Sequence, residues 1–320
     1  MRILALVSLA AAACGGRIHP APVTANAAGP GGIAAAALPY AIVDGHTGRA
    51  VATDAFWTAV AAARGVCVGE EHPNPHHHWA QLAIVQHLAT AGGRRALGLE
   101  MLQQPVQGVV DDFAAGAIDE ATFRSRVGWE DRWGYPYELY GPTIAAAIGA
   151  GWAVRALNAP SELVKRVSKV GVAGLEPAER ERLPELVLDD AKHRAWFDAL
   201  MADMGAHGEG HGAHGSDHGG AAMPSPDNLY AAQVVWDESM AAGAKAFLDG
   251  GDAIVILAGN GHCHDWGVAG RLRRRGVTPV VSVRPIIDDG HGNVAEALTE
   301  GNADYLWIMT MPAGAAPAAE

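Results

Sequence analysis

The sequence predicts an α/β fold, a mostly parallel central sheet flanked by helices, with an inserted helical subdomain. Short apolar runs recur along the chain and alternate with stretches of helical periodicity. That is the pattern of parallel strands covered on both faces by crossover helices. The clearest run is DAIVILA at 252–258. Between about residues 160 and 248 the strand-like runs give way to helical patterns, which marks the insertion.

Taken in order, the βα pattern begins near Ile42. A short apolar strand is expected at 66–69 (VCVG) and a helix at 79–91, then a second buried strand at 95–100. A helix follows at 138–150 and a strand at 152–157. Helices at 160–169, 184–204 and 226–248 make up the insertion. The strand at 252–258 is followed by a helix at 266–275, a strand at 278–283 and a last strand at 305–309. No solenoid-type repeat is visible. The body, 39–312, reads as one domain, preceded by a leader (1–14) and a Gly/Ala/Pro-rich tether (15–38) and followed by a disordered tail (313–320).

Composition narrows the function. The 320 residues are 49% hydrophobic and 18% charged, which suits a globular chain and excludes a disordered one. A net charge of -12 argues against a nucleic-acid partner, because phosphate recognition needs a Lys/Arg surface. Three cysteines exclude a disulfide-rich framework.

The leader has a charged head, Met1-Arg2, and an apolar stretch at 3–13, about half the ~20 residues needed to span a bilayer. It ends at Ala11-Ala12-Ala13-Cys14-Gly15, which resembles a bacterial lipobox with Cys14 as the acylated residue. The usual Leu three before the Cys is Ala11 here, and a plain secretory signal is the alternative. An acyl chain on Cys14 would place the chain in the bacterial cell envelope, at the outer membrane facing the periplasm. The acidic body suits a lipid anchor better than a basic membrane-binding patch.

The 15 histidines are unevenly spread. His207, His211, His214 and His218 lie in HGEGHGAHGSDHG, a Gly-rich tract within the loop 205–222 that cannot pack a core. Its imidazoles offer ligands to Zn, Cu or Ni; a solvated loop is the plainer reading.

Three further motifs follow expected strands, where open α/β sheets bind ligands. In the first, Gly69-Glu70-Glu71-His72 precedes Asn74, Pro75 and His76-His77-His78, with Gln81 four residues after His77 on the same helix face. Carboxylates and imidazoles so spaced can hold a transition metal or haem iron. In the second, Leu99-Glu100-Met101, a buried strand ends in a carboxylate that needs a partner. In the third, Gly259-Asn260-Gly261-His262, two glycines allow close backbone approach. Parallel strands would bring Glu70, Glu100 and His262 to one sheet edge, flanked by Cys67 and Cys263, either disulfide-bonded or as two thiols.

These motifs, with WEDRWGYPYELYGP (129–142), ALNAP (156–160) and AQVVWDESMA (232–241), resemble the ChaN-type haem-binding lipoproteins, of the superfamily that includes erythromycin esterase and Tiki-type proteases. Pro73 departs from the Asp common in that family after the first His. The resemblance implies haem or iron uptake by a lipid-anchored protein, with haem held at a face that could be shared in a homodimer. An outer-membrane haem receptor is a further expected partner. It also implies a Tyr ligand helped by His. Among Tyr40, Tyr135, Tyr137, Tyr140, Tyr230 and Tyr305, the expectation falls on Tyr140, within the aromatic motif. His77 and His78 would assist it, and Glu70, His72, Glu100 and His262 would form a polar site beside it. The alternative is a metal-dependent peptidase or esterase in which Glu70, His72, Glu100 and His262 hold a divalent metal, or Glu70 activates water. No Ser-nucleophile motif and no HExxH accompany it.

Overall fold

The computed structural model describes residues 32–90, 92–208 and 224–312, with the side chains of 203–208 left out. The leader with Cys14, most of the tether, the histidine tract beyond Gly208 and the 313–320 tail lie outside the described residues; 205–208, expected as the start of the loop, are the last turn of a helix in backbone.

The described chain opens with a 3-10 helix at Gly32–Ala36, where the end of the expected tether buries Ile33 and Ala36, followed by a hairpin, β1 (Tyr40–Asp44) and β2 (Ala50–Val51), then α1 (Thr53–Ala62), β3 (Gly65–Val68), α2 (Pro75–Ala89) and β4 (Arg95–Gln103). Helices α3 (Gln107–Ala114), α4 (Glu120–Val127), α5 (Trp129–Arg132) and α6 (Gly141–Gly149) lead to β5 (Ala153–Asn158). Between β5 and the next strand run α7 (Ser161–Val170), α8 (Pro177–Arg180), α9 (Ala191–Gly208) and α10 (Pro226–Leu248). The chain closes with β6 (Ala253–Leu257), α11 (Val268–Arg274), β7 (Val280–Asp288), α12 (Asn293–Glu300) and β8 (Tyr305–Thr310).

The eight strands form one sheet in the order β2-β1-β8-β7-β3-β6-β4-β5. From β8 to β5 every pairing is parallel; β1 is antiparallel to both β2 and β8. Strand residues alternate between the two faces, as the two-residue period requires. In β6, Val255 and Leu257 join a core with Ile84, Leu88, Ile144 and Trp307, while Ile254 and Ile256 join another with Val164, Met240 and Leu272. This double burial is why the run 252–258 is apolar throughout rather than alternating. At Gly98 of β4 a Cβ would stand 2.4 Å from Leu157 Cδ1, so a side chain there would require Leu157 to shift.

Several boundaries differ from expectation for local reasons. Helix α2 starts at Pro75 rather than Trp79, because the Asn74 side chain accepts from the His76 and His77 amides and Pro75 suits a first helical turn. Helix α9 starts at Ala191, where Asp190 Oδ1 accepts from the Lys192 and His193 amides, so residues 184–190 are not helical. Helix α6 starts at Gly141, after a 3-10 turn at Tyr137–Leu139. Strand β4 runs on through Glu100 to Gln103, and the short helices α1, α3, α4 and α12 are additions to the sequence reading. No described helix is long and apolar enough to cross a membrane. Cys67 and Cys263 are joined as a disulfide across 196 residues, tying β3 to the loop after β6.

Candidate functional site

Because β3, β6 and β4 are neighbours and parallel, the segments leaving their carboxyl ends lie side by side. The Asn260 amide donates to Glu70 O at 2.8 Å, which joins two of these segments. Gly69 makes that approach feasible, since a Cβ there would lie 2.1 Å from Asn260 Oδ1.

Glu70 is the centre of the first half of the site and is only 1% exposed. Its Oε1 accepts from the Tyr140 hydroxyl at 2.8 Å and pairs with His72 Nδ1 at 2.7 Å. Its Oε2 accepts from Gln81 Nε2 at 2.8 Å, with His78 Nδ1 3.4 Å away. Burial alone would raise this carboxyl group, but His78, His72 and the Tyr140 hydrogen bond bring it down to about 2. Burial works to lower His72, yet the bond and charge of Glu70 leave it raised. Tyr140 is held well above its ordinary value by burial and the Glu70 charge.

The second half is built on Glu100. Its Oε2 accepts from the Gly259 amide at 2.6 Å, and its Oε1 lies 3.3 Å from His262 Nε2. The other ring nitrogen of His262 meets Asp237 Oδ1 at 2.6 Å. His262 is thus clasped between two carboxylates, which overcome burial and raise it to about 10. Asp237 Oδ2 also faces His193 Nε2 and Arg271 Nη1, each at 3.5 Å, an ion-pair distance rather than a hydrogen bond. Arg271 reaches Glu238, which Arg274 and Arg275 also hold. The two halves meet at Gly259, where a Cβ would stand 3.0 Å from His72 Cε1 and 3.8 Å from Glu100 Oε2.

The structure therefore brings Glu70, His72, His78, Tyr140, Glu100 and His262 to one place. His77 is turned elsewhere. Its Nδ1 accepts from the Glu71 amide at 3.0 Å, and it is His78, three residues before Gln81, that meets the Gln81 side chain. The neighbouring His264 is a backbone clamp, accepting from Gly267 N at 3.0 Å. Sequence reasoning gave no role to Asp237, His193 or Arg271. Two acids within the apolar helix stretch AAQVVWDESMAA are the signal that could have found Asp237 and Glu238. The Glu70, His72, Glu100 and His262 donors face one another in pairs. Among the described residues, the trio of His, Asp, Glu or Cys with ligand atoms all within 4.8 Å of one another lies elsewhere, at His46, Asp265 and Asp304.

These groups give stability a two-sided pH dependence. His262, raised from 6.5 to about 10, contributes fully below pH 6.5 and loses that contribution as pH rises toward 10. Glu70, lowered from 4.5 to about 2, contributes fully above pH 4.5 and loses it as pH falls toward 2. Burial lowers His77 and His193 from 6.5 to about 4 and His264 to about 3, so their contribution is full above pH 6.5 and lost as pH falls below it. The urea midpoint is expected to peak near pH 6.5 and decline on both sides. A midpoint still rising at the alkaline end would refute the role given to His262.

Residues 56–272, more than half of the chain, match the family described as haem-binding uptake, Tiki superfamily, ChaN. The chain belongs to this family. The matched segment carries both halves of the site, from Glu70 to Arg271, and stops before β7 and β8. The structure showing cofacial haem binding to ChaN of Campylobacter jejuni is similar over 84% of this chain and 96% of that one, with TM-score 0.61 and 16% identity. At that identity the likeness shows a shared fold. Weaker likenesses are the type III effector HopBA1 (TM-score 0.39, 13% identity, 81% of this chain and 93% of that one) and a Bacillus cereus protein (0.38, 14%, 72% and 67%). No curated protein matches the chain.

Proposed function

We propose that this ChaN-type protein binds haem for uptake of haem or its iron, at the mouth of the Glu70–His72 half of the site. Haem needs an apolar face for the porphyrin and a donor for the iron. The observation that carries the reading is the pair of half-buried aromatics Trp133 and Tyr135 against the His72 ring, with centroids 4.7 and 4.9 Å away. A phenol oxygen and an imidazole set in an aromatic wall are donors suited to ferric haem, so these residues fit the group.

The sequence expectation placed Tyr140 on the iron. Tyr140 is 1% exposed and its hydroxyl is given to Glu70, so its role in this reading is to orient that carboxylate. Tyr135, nearer the surface, is the favoured ligand. Burial and the Glu70 and Glu100 charges push its phenol to about 12, so binding would release that proton in exchange for iron. His72 stands beside it, held by Glu70. His78 keeps Glu70 in place, and His77 supports the loop at Glu71.

Anchoring through an acylated Cys14 at the outer membrane, a homodimer sharing the haem face and an outer-membrane receptor complete the proposal. The Cys67–Cys263 bridge supports an oxidising compartment such as the periplasm.

Titration of the purified chain with hemin tests the reading. A saturable shift of the Soret band is expected. Tyr135→Phe should weaken binding by at least about 100-fold, beyond what loss of a supporting partner costs, and change the spectrum. Tyr140→Phe should keep the ligand spectrum. Absence of any shift in the unmodified chain refutes haem binding. Loss in Tyr140→Phe with retention in Tyr135→Phe returns the ligand role to Tyr140.

A further inference from the structure

A second cluster of donors stands beside the sheet edge, and two of its three residues lie outside the family-matched segment. His46 is in the turn between β1 and β2, Asp265 in the loop after β6, and Asp304 just before β8. His46 Nε2 lies 3.4 Å from Asp265 Oδ2 and 3.6 Å from Asp304 Oδ1. Donors placed about 2.0–2.2 Å from a tetrahedral Zn2+ stand roughly 3.3–3.6 Å from one another. The observed spacings match two edges of such a tetrahedron.

The atoms on the far side of each donor are already engaged. His46 Nδ1 meets Gly301 O at 3.0 Å. A carbonyl can only accept, so Nδ1 carries a hydrogen, and in the neutral ring Nε2 is the nitrogen with the lone pair, the form in which it can ligate a metal. Asp265 Oδ1 accepts from Arg273 Nη1 at 2.7 Å. Asp304 Oδ2 accepts from Arg273 Nη2, from Ser282 N at 2.7 Å and from Ser282 Oγ at 3.0 Å. Each residue thus keeps one donor atom for the centre and fixes its orientation through another, as ligands of a bound metal do.

The backbone holds the three segments together independently of any ion. Gly45 N donates to Asp304 O at 3.0 Å, and Asp265 N donates to Asn302 O at 2.8 Å. Gly45 has to be glycine for this contact, since a Cβ would lie 2.1 Å from Ala303 O. The two carboxylate oxygens facing inward repel one another, and a cation between them removes that repulsion. One imidazole with two carboxylates suits a transition metal of the zinc class better than Mg2+ or Ca2+, which take oxygen ligands alone.

We propose that His46, Asp265 and Asp304 form a three-residue site for a divalent transition metal of the zinc class, its fourth position open to solvent. The site is separate from the haem reading and does not depend on it. His46 is 43% exposed at its side chain, so the centre is reachable by an ion or by an exchangeable ligand.

The test uses the full chain carrying His207→Asn, His211→Asn, His214→Asn and His218→Asn, which removes the competing histidine tract. Titration with Zn2+ alone should give one saturable equivalent and a Zn2+-dependent rise in Tm. Adding His46→Gln should weaken that binding by at least about 100-fold, beyond the 10–100-fold typical of a lost supporting partner, and abolish the rise in Tm. Asp265→Asn should act in the same direction. The metal-free Tm of the His46→Gln chain should stay unchanged, which separates loss of the site from loss of the fold. Failure of the parent chain to bind an equivalent of Zn2+ overturns the proposal. So does an equivalent that persists through both His46→Gln and Asp265→Asn.

Discussion

Asp237→Ala is expected to destabilise the folded chain by about 3–5 kcal/mol, the cost of removing one partner from a buried ion pair. Asp237 is fully buried, and one of its oxygens takes His262 while the other faces His193 and Arg271. Without the carboxylate, His262 keeps only Glu100, and Arg271 loses one of its two acids in a place water does not reach. The Ala side chain also leaves a void beside α11. Asp237→Asn should cost less, because an amide oxygen can still accept from His262 although the charge is gone. Urea unfolding of the two variants and the unmodified chain provides the measurement. A loss below about 1 kcal/mol for Asp237→Ala, the size expected of an exposed pair, would mean the cluster does not hold the fold.

Loss of the Cys67–Cys263 bridge should produce an effect of similar size. The bridge closes a loop of 196 residues, so it restricts a large part of the unfolded chain. The chain-entropy relation puts a loop this long at about 5 kcal/mol, the upper end of the roughly 2–5 kcal/mol that removal of native disulfides typically costs. Both cysteines are buried, at 0% and 1% exposure, so the folded chain shields them from mild reductants. The paired variant Cys67→Ala, Cys263→Ala is therefore the cleaner experiment. Its Tm should fall well below that of the unmodified chain, with the same far-UV spectrum at low temperature. An unchanged Tm would show that the unfolded chain gains nothing from release of the bridge.

What was legible in the sequence follows from physical contrast. Strands β3, β4 and β6 are buried on both faces, so their runs stand out as largely apolar text. Glu70, Glu100 and His262 were visible because a carboxylate or imidazole directly after such a run is conspicuous. Near Ile42 the sequence marks only the start of the βα pattern and not a hairpin, because β1 is mixed in burial and β2 is only two residues long. Helix α1 has only Phe56 and Val60 buried within TDAFWTAVAA, too weak a stripe to mark a helix. Asp237 was hidden for a different reason. It sits where 14 of the 23 residues of α10 are buried, and sequence periodicity cannot tell a buried acid with partners from an exposed one. His193 and Arg271 come from α9 and α11, and only folding shows that three separate helices meet at one acid.

That meeting point bears on how the molecule can be modified. In chain order the helices between β5 and β6 look like an accessory to be trimmed or exchanged for a shorter connection. Yet α10 supplies Asp237 and Glu238, the countercharges of His262 and Arg271 beyond β6, and α9 supplies His193 against Asp237. Any graft replacing this segment would have to present an acid at the place of Asp237, or bury His262 and Arg271 with their charges unbalanced. The segment is part of the electrostatic closure of the sheet edge, and a minimal core lacking it is not a smaller version of this protein.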